Sequence, residues 1–540
     1  MNEKPFSCFA VAGLLLWLAG APIAAQTNQP LHTDGWVLAA THAPGLKGSI
    51  WRTDLWIYLS SAGNAVTLTF CKTGQDNTSA QGYAIETVPG QHVYYFEDVV
   101  ERYLHVGDAG WLGAIHYTAD TDVQVWARVY SISPDGSKSY GQIVEGIPTG
   151  DMSPSYLDDD DDHKTQRVYA TKHTADGRYR VNFGIVNPTA VSCSYSLAMY
   201  DETKNHPSTG SAATSLTVPP YSMVQLTDPF AAVESGGWNN HWTKLWIETA
   251  GGGGFLYASV VDNATNDAYF VRGVKDRYAE WQGGLNETLH GHGWLLAAAH
   301  TPGLQSSIWR TDLWVYMQSV TASSFFKLRF CASGKDNSQA PWIDLPLTDG
   351  TFIYHVEDVV AQFLGADVES WLGAIEYDAS SGAQVWARVY SISSDGKKSY
   401  GQLVEGVPAA DMSPDNDPWD YRDHQYLFAA KHTADGRFRV NVGVVNPTGV
   451  AATYALNAFD TTGPGGSPLT TVGLTVQPYS MVQLNDPLAA LAGGEWSNLV
   501  LRVQCSKDGA GGFAYASVVD NATNDAYFVR GIKLLPAPSQ

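Results

Sequence analysis

Two stretches of the chain, Ser259–Gly273 and Ser517–Gly531, both read SVVDNATNDAYFVRG. In each stretch, strand-forming residues alternate on either side of the turn-forming letters NATN, which is the pattern of a β-hairpin. A long stretch that recurs letter for letter indicates a duplicated structural unit, and overlooking such a repeat would misassign the whole fold. The repeated stretch therefore predicts a β-hairpin that serves the fold at two equivalent places.

The duplication extends over most of the chain. Three further identical pairs recur with an offset of 258 to 260 residues: WRTDLW at 51–56 and 309–314, WARVYSIS at 126–133 and 386–393, and KHTADGR at 172–178 and 431–437. We expect a first copy over residues 33–276 and a second over 291–534, joined by a polar linker at 277–290.

Each copy shows a weaker internal symmetry. The segment RTDLWIY at 52–58 aligns with RVNFGIV at 180–186, and a short acidic segment follows both. This symmetry predicts four units, at 33–150, 168–276, 291–410 and 427–534. Each unit has room for about seven short strands between Gly, Asn, Asp and Pro turns. The predicted fold class is all-β, with tandem β-sandwich (immunoglobulin-like) domains, two in each copy.

Residues 1–25 are expected to form a secretory signal peptide. Lys4 precedes an apolar run at 9–18, and Ala24 and Ala25 offer small residues for cleavage. The run is too short for a membrane span, and we expect no span elsewhere. The protein is therefore predicted to be secreted, or periplasmic, after cleavage.

The net charge bears on the expected binding partners, and the cysteine positions bear on whether disulfides form. A net charge of −22 repels phosphate backbones, so nucleic acid is not an expected partner. Beyond the signal segment lie Cys71, Cys193, Cys331 and Cys505, and Cys193 aligns with Ala452 of the second copy. Because a disulfide framework shared by the copies would need matched pairs, we expect buried free thiols.

Three motifs together resemble a known kind of repeat. They are HAPGLKGSIWRTDLWIY at 42–58, FGIVNPT at 183–189 and YASVVDNATNDAYFVRG at 257–273. The combination is similar to tandem immunoglobulin-like or fibronectin-like β-sandwich repeats found in secreted proteins of environmental bacteria. The resemblance covers both copies and implies the sandwich fold, but that family supplies no catalytic residues to transfer to this chain.

Alternation along two strands of each copy predicts a face rich in aromatic and charged side chains. Its candidate ligand-binding residues are Arg52, Asp54, Trp56, Tyr58, Trp126, Arg128 and Tyr130 in the first copy, and Arg310, Asp312, Trp314, Tyr316, Trp386, Arg388 and Tyr390 in the second. If exposed, such a face suits carbohydrate, because aromatic rings stack on sugar rings while flanking charges bind hydroxyl groups. Alternatively, it is buried against the small face formed by Arg180, Asn182, Gly184 and Val186 in the second half of each copy.

Four histidines stand at corresponding positions, one in each predicted unit: His42, His173, His300 and His432. A placement that recurs in every unit favours a structural role. The alternative is catalysis by His42 with Asp54, and by His300 with Asp312 in the second copy.

Acidic residues cluster between the two halves of each copy, at Asp158, Asp160, Asp162, Asp415 and Asp417. Calcium is a hard cation that takes several oxygen ligands, so calcium is the one metal these residues suggest. A solvated, self-repelling connector explains the same residues.

The motifs of common enzyme classes are absent from the sequence: HExxH, GxSxG, the P-loop and the EF-hand loop. We therefore expect a secreted, non-catalytic binding or structural module that attaches to an extracellular polysaccharide or cell-surface component. Two alternatives remain. One is a carbohydrate-active enzyme with carboxylates between units, such as Glu97 and Asp98 or Glu357 and Asp358. The other is a passive spacer or assembly subunit.

Overall fold

The computed structural model describes residues 31–45, 48–104, 110–155, 165–200, 214–229, 241–275, 289–303, 306–317, 320–363, 371–413, 424–463, 467–491, 496–505 and 511–533. The predicted signal peptide and most of the predicted linker lie outside these residues. The described residues are almost entirely antiparallel β-structure, which confirms the all-β fold class. Within the described part of the chain, no helix has the length and apolar character needed to cross a membrane.

Unit 1A, the first half of the first copy, contains eight strands and one short helix. These are β1 (His32–Pro44), β2 (Ile50–Leu59), β3 (Val66–Lys72), β4 (Gly82–Ile85), β5 (Val93–Phe96), α1 (Val99–Arg102), β6 (Trp111–Ile132), β7 (Ser139–Glu145) and β8 (Ile147–Pro148). All eight strands belong to one sheet. The 22-residue β6 pairs with β1 and β3 along one half and with β2 and β7 along the other. Because β1 also pairs with β2, the sheet curls into a half-barrel around its own apolar core.

Unit 1B, the second half of the first copy, is a two-sheet sandwich that follows a single 3-10 turn at Thr149–Asp151. Its strands are β9 (Ser153–Pro154), β10 (Thr165–Val168), β11 (Tyr179–Asn187), β12 (Cys193–Tyr200), β13 (Thr214–Val218), β14 (Ser222–Thr227), β15 (Trp242–Ile247), β16 (Gly253–Asp262), β17 (Asp267–Arg272) and β18 (Val274–Lys275). One sheet has the order β13-β12-β15-β10-β18, and the other has the order β14-β11-β16-β17 with β9 beside β16. The repeated stretch forms the hairpin of β16 and β17, in which Asp262 pairs with Asp267.

The second copy repeats this architecture as units 2A and 2B. Unit 2A contains β19 (His290–Pro302), β20 (Ile308–Met317), β21 (Phe326–Ala332), β22 (Ile343–Asp344), β23 (Ile353–Val356), α2 (Val359–Phe363), β24 (Trp371–Ile392), β25 (Ser399–Glu405) and β26 (Val407–Pro408). After a 3-10 turn at Ala409–Asp411, unit 2B contains β27 (His424–Leu427), β28 (Phe438–Asn446), β29 (Ala452–Phe459), β30 (Thr470–Val476), β31 (Ser480–Leu484), β32 (Val500–Cys505), β33 (Phe513–Asp520) and β34 (Asp525–Arg530). The sheet orders match those of the first copy strand for strand, apart from the short strands at the edges of unit 1B.

Each A unit packs against the B unit of its own copy through one face of the half-barrel. Trp36 and Leu38 of β1 share a buried cluster with Val186, Met223 and Tyr257 of unit 1B. The equivalent strands of units 2A and 2B also share one core cluster. Each A unit is therefore continuous with its own B unit through apolar packing.

The opposite face of each half-barrel packs against the B unit of the other copy. Trp56 and Trp126 of unit 1A belong to the core cluster of unit 2B, which includes Phe428. Trp314 and Trp386 of unit 2A belong to the core cluster of unit 1B in the same way. The four units thus close into a ring in the order 1A, 1B, 2A, 2B, and the reciprocal contacts define an approximate twofold axis between the copies.

Four edge strands meet around this axis: β7, β17, β25 and β34. Each is hydrogen-bonded as a strand on one side only, to β6, β16, β24 or β33. Tyr140 of β7 and Tyr400 of β25 stack across the axis with 5.5 Å between ring centroids. Exposed sheet edges invite pairing with other chains, so this arrangement protects four edges at once.

Candidate functional site

The predicted aromatic faces lie inside the molecule. Trp56 and Trp126 are each 1% exposed, and the ring centroid of Phe428 lies 5.1 Å from that of Trp126 and 4.5 Å from that of Tyr58. In the second copy, Trp314, Trp386 and Tyr316 are also buried, and Tyr169 stacks on Tyr316 at 4.3 Å. These rings therefore offer no exposed platform for a sugar.

The surface that receives each aromatic face differs from the one expected from sequence. The predicted surface was the strand face of Arg180, Asn182, Gly184 and Val186. In the structure, Val186 packs in the own-copy cluster, and the ring of Tyr257 occupies the place that a Cβ on Gly184 would take. That face is occupied by its own copy, and the aromatic face packs instead against the other copy's Tyr426–Ala430 or Val168–Ala170 region.

Asp54 is fully buried and binds a lysine of the other copy. Lys431 Nζ donates to Asp54 Oδ2 at 2.9 Å, and the hydroxyls of Tyr95 and Tyr130 donate to the same carboxylate at 2.8 and 3.0 Å. Burial acts to raise the pKa of Asp54, but the Lys431 ammonium and the hydrogen bonds to the carboxylate outweigh it, and the pKa is lowered.

The second copy repeats this arrangement. Lys172 Nζ lies 3.0 Å from Asp312, and burial acts to raise the pKa of Asp312, but Lys172 and its neighbours outweigh burial and lower it. Tyr390 donates to Asp312 at 3.1 Å. The repeated KHTADGR motif thus supplies one buried ammonium group to each interface between copies.

Arg128 and Arg388 also connect the two copies. Both are 1% exposed. Arg128 Nη2 donates to Ser139 Oγ at 3.0 Å and lies 3.5 Å from Asp525 of unit 2B. Arg388 donates to the Tyr179 hydroxyl of unit 1B at 3.0 Å and lies 3.3 Å from Asp267. Both guanidinium groups are therefore committed to internal contacts.

The four corresponding histidines each face an aspartate. The ring nitrogen to carboxylate distances are 3.0 Å for His42 and Asp98, 3.4 Å for His173 and Asp228, 2.9 Å for His300 and Asp358, and 3.2 Å for His432 and Asp486. All four aspartates have a positive φ, between 44° and 47°. A non-glycine residue rarely adopts this conformation, so its recurrence marks a shared structural device in every unit.

This pairing corrects the predicted catalytic pair of His42 with Asp54. His42 contacts Asp98, while Asp54 accepts the backbone N–H of Asp98 at 3.1 Å. Arg52 also faces Asp98, with its Nε 3.4 Å from Oδ2, as Arg310 faces Asp358 at 3.6 Å. Burial outweighs these partners and raises the pKa of Asp98 to about 6. The neighbouring acid, Glu97, pairs with Arg102 at 2.8 Å.

The acids of the repeated stretch are the residues whose role the sequence did not reveal. Asp262 Oδ2 accepts the N–H and the hydroxyl of Ser399 at 3.2 and 2.7 Å, and Asp267 Oδ2 accepts the N–H of Gly401 at 3.0 Å. In the second copy, Asp520 and Asp525 bind Ser139 and Gly141 at the same distances. Each hairpin therefore caps the free edge of the other copy's β25 or β7. The available signal was the identity of both acids in the two copies.

Asp267 and Asp525 also meet each other at the axis. Both aspartates are 1% exposed, and their carboxyl groups interact electrostatically. Burial outweighs Arg388 and raises the pKa of Asp267 to about 6, and burial together with the charge of Asp267 raises that of Asp525 further. Two ionised carboxylates in contact repel each other, so this pair holds a shared proton.

A pocket of ≈ 80 Å³ lies where the four edge strands meet. Each strand contributes four lining residues, and each residue has an equivalent from the other copy. The side chains that give the pocket its chemistry are Gln142, Ile143 and Glu145 of β7, Phe270 and Arg272 of β17, and their equivalents Gln402, Leu403, Glu405, Phe528 and Arg530. Within the described part of the chain, this pocket brings aromatic, amide and charged side chains together around one space.

The charges of the pocket are paired across the copies. Arg272 Nη2 lies 3.9 Å from Glu405, and Arg530 Nη2 lies 3.9 Å from Glu145. Gln142 is fixed by Ser259, whose hydroxyl donates to Oε1 at 3.1 Å, and Gln402 is held by Ser517 in the same way. The charged side chains of the pocket are therefore balanced, and the rest of its lining is largely apolar.

The remaining predicted positions are the acidic clusters and the cysteines. The candidate calcium ligands Asp158, Asp160, Asp162, Asp415 and Asp417 lie outside the described residues. The four cysteines are buried free thiols, as expected. Burial raises the pKa of the Cys71 and Cys331 thiols to about 12, so neither is a reactive thiolate at neutral pH.

No family model matches the chain, and no curated protein matches it either. The resemblance to secreted tandem repeats therefore stays a prediction.

Proposed function

We propose that this chain is a secreted, non-catalytic binding module that holds a sugar unit of an extracellular glycan or cell surface in the axial pocket. The observation that supports this proposal most is the composition of that pocket. It combines two phenylalanines, two fixed glutamines and two charge-balanced Arg–Glu pairs around a single space. Aromatic faces suit the apolar faces of sugar rings, and the polar groups suit their hydroxyls.

The charge balance favours a neutral ligand over an anion. Arg272 faces Glu405, and Arg530 faces Glu145, so neither guanidinium group presents uncompensated charge to a ligand. A phosphate or sulfate site would need unpaired arginines or clustered backbone N–H groups. Neutral polar groups such as sugar hydroxyls fit both members of each ion pair.

Backbone donors add to the polar character of the pocket. The N–H groups of Ser139 and Gly141 point away from β6, because they bind Asp520 and Asp525. Backbone N–H groups alternate in direction along an antiparallel strand, so those of Ile143 and Glu145 point from the same edge of β7. This edge faces the pocket that both residues line.

The size of the pocket suits a small part of a glycan. A volume of ≈ 80 Å³ is small for a ligand site, so the pocket has room for one terminal unit rather than for a polymer. Ile143, Glu145, Arg272, Leu403 and Glu405 are half-buried rather than enclosed, so the pocket opens to solvent on their side. A terminal sugar of a longer chain fits this description.

The same geometry favours binding over glycoside hydrolysis. Hydrolysis by the common mechanism needs one carboxyl group that donates a proton and a second carboxylate on the other side of the bond. In the pocket, Glu145 and Glu405 each face an arginine of the other copy. The proton-sharing pair, Asp267 and Asp525, is completely buried and out of reach of a polymer.

The test is a glycan screen followed by calorimetry on a variant whose pocket is filled. The double substitution Ile143→Trp and Leu403→Trp places two indoles in the pocket opening, and we expect at least tenfold weaker binding of the best glycan. Val88→Trp is the control, because Val88 is 52% exposed and lies outside the pocket.

Three outcomes would count against the proposal. Equal binding by the wild type and the filled variant would place the glycan site elsewhere. Failure of every glycan to bind would leave a structural module, which the ring architecture also suits. Release of reducing ends from a bound polysaccharide would favour the enzyme alternative.

A further inference from the structure

A cluster of three potential metal ligands lies at the start of α1, away from the axial pocket. His42 Nδ1 is 3.0 Å from Asp98 Oδ2 and 3.4 Å from Glu101 Oε2, and one ligand atom from each residue lies within 4.8 Å of the others. Ligands around a tetrahedral zinc ion are separated by about 3.4 Å, given metal–ligand distances near ~2.1 Å. The spacing of these ligand atoms is therefore compatible with a single ion.

The electrostatics of the cluster favour a cation. Asp98 and Glu101 place carboxylate oxygens within 4.8 Å of each other, and the Asp98 side chain is only 1% exposed. Two carboxylates in contact need a shared proton or a bound cation. Arg52 neutralises part of this charge, with its Nε 3.4 Å from Asp98, but an excess of negative charge remains when His42 is neutral.

The second copy has the same framework without the third ligand. His300 and Asp358 repeat the pair at 2.9 Å, and Arg310 repeats Arg52. The position of Glu101, three residues after the aspartate, is taken by Ala361. The structural role of the His–Asp pair, which all four units share, therefore does not require Glu101.

We propose that His42, Asp98 and Glu101 form a zinc-type metal site that is present in the first copy only. An imidazole ligand favours a transition metal such as zinc over calcium or magnesium. Three protein ligands leave one position open, and Glu101, whose side chain is 51% exposed, places that position at the surface. This site is independent of the sugar-binding pocket.

The two copies supply reciprocal variants for the test. Untagged, full-length mature protein is stripped with a chelator and titrated with Co²⁺ as a spectroscopic substitute for Zn²⁺, followed by Zn²⁺ competition. We expect one saturable ion in the wild type, with visible absorption typical of nitrogen and oxygen ligands. Glu101→Ala, which copies Ala361, should reduce this to none. Ala361→Glu, which copies Glu101, should raise it to two.

The outcomes separate a site from a purely structural cluster. Loss of the ion in Glu101→Ala supports the site, provided that the melting temperature of the stripped variant matches that of the stripped wild type. A gain in Ala361→Glu shows that the glutamate completes the ligand set. No saturable binding by the wild type at millimolar Co²⁺, or unchanged stoichiometry in Glu101→Ala, would overturn the proposal.

Discussion

Buried charges at the residue scale hold the two copies together. Asp54 and Lys431 come from different copies, as do Asp525 and Arg128. Such pairs contribute modestly to stability when intact, because desolvation offsets their attraction, but breaking one leaves an uncompensated buried charge. Any placement of the copies that separates the members of these pairs would therefore leave buried charges unpaired.

Replacing Lys431 with methionine should destabilise the protein strongly. The substitution leaves Asp54 buried without its ammonium partner, and we expect a loss of about 3–5 kcal/mol in the free energy of unfolding at pH 7, measured with urea. Because the pKa of Asp54 is lowered in the folded state, the ion pair of Asp54 with Lys431 stabilises the wild type above the unfolded pKa of Asp54. This stabilisation is lost as the pH falls and Asp54 becomes protonated. The deficit should therefore shrink in acid. Lys138→Met, at an exposed position, is the control, and an equal effect of the two substitutions would contradict the role of the buried pair.

Replacing Asp267 with asparagine should flatten the dependence of the protein's stability on pH. The folded pKa of Asp267 is about 6, against an ordinary value of 3.8. Below the unfolded pKa of Asp267, both the folded and the unfolded state carry the proton, and the buried pair costs no stability. As the pH rises from about 4 to 6, the unfolded state ionises more readily than the folded state, so the free energy of unfolding falls. Asparagine does not ionise, so most of this fall in the free energy of unfolding between about pH 4 and 6 should disappear in the variant. Parallel curves of unfolding free energy against pH for the two proteins would rule out the shared proton.

Sequence reasoning at this scale located the important side chains but not their partners. Strand alternation grouped Asp54, Trp56 and Tyr58 on one face, and the structure keeps that group together. The pairing of His42 with Asp98 was missed because the two residues are 56 positions apart and meet only when the half-barrel closes. Alternation is a local rule and carries no information on such contacts.

At the scale of the element, each repeated hairpin covers the edge of a strand that comes from the other copy. Each hairpin places two aspartates against backbone N–H groups of an edge strand from the other copy. The hairpin was predictable from the turn residues and the alternation on either side of them. Its role in capping was not predictable, because edge protection depends on the strand that arrives from elsewhere.

Gly141→Ala should disrupt the pairing of β7 with β6 at the edge that the hairpin caps. A Cβ at position 141 would stand 2.5 Å from the carbonyl oxygen of Val129 and from Cβ of Tyr130. Since β6 and β7 are paired at this point, the strands have to separate, and we expect a loss of about 1–3 kcal/mol in unfolding free energy. Gly150→Ala is the matched control, because no atom lies within 4 Å of the point that its methyl group would occupy, and its change should stay within about 0.5 kcal/mol. Similar melting temperatures for both variants would contradict the close packing at β7.

At the scale of the whole molecule, the copies are interlocked rather than placed side by side. Each A unit lies between the B unit of its own copy and the B unit of the other. The sequence indicated the duplication and the all-β class. It did not indicate that each A unit also packs against the B unit of the other copy, because the interface motifs recur in both copies and present the same residues to either partner. Which face of an A unit packs within its own copy, and which packs against the other copy, is seen only in the three-dimensional arrangement of the four units.

Cleavage of the folded chain between the copies tests this arrangement most directly. A specific protease site is introduced into the segment 277–290, the protein is cut in its folded state, and its mass is measured by light scattering during gel filtration. The interlocked ring predicts one particle with the mass of the intact chain, which separates into two halves only in denaturant. Two independent particles of about half that mass under native conditions would contradict the ring.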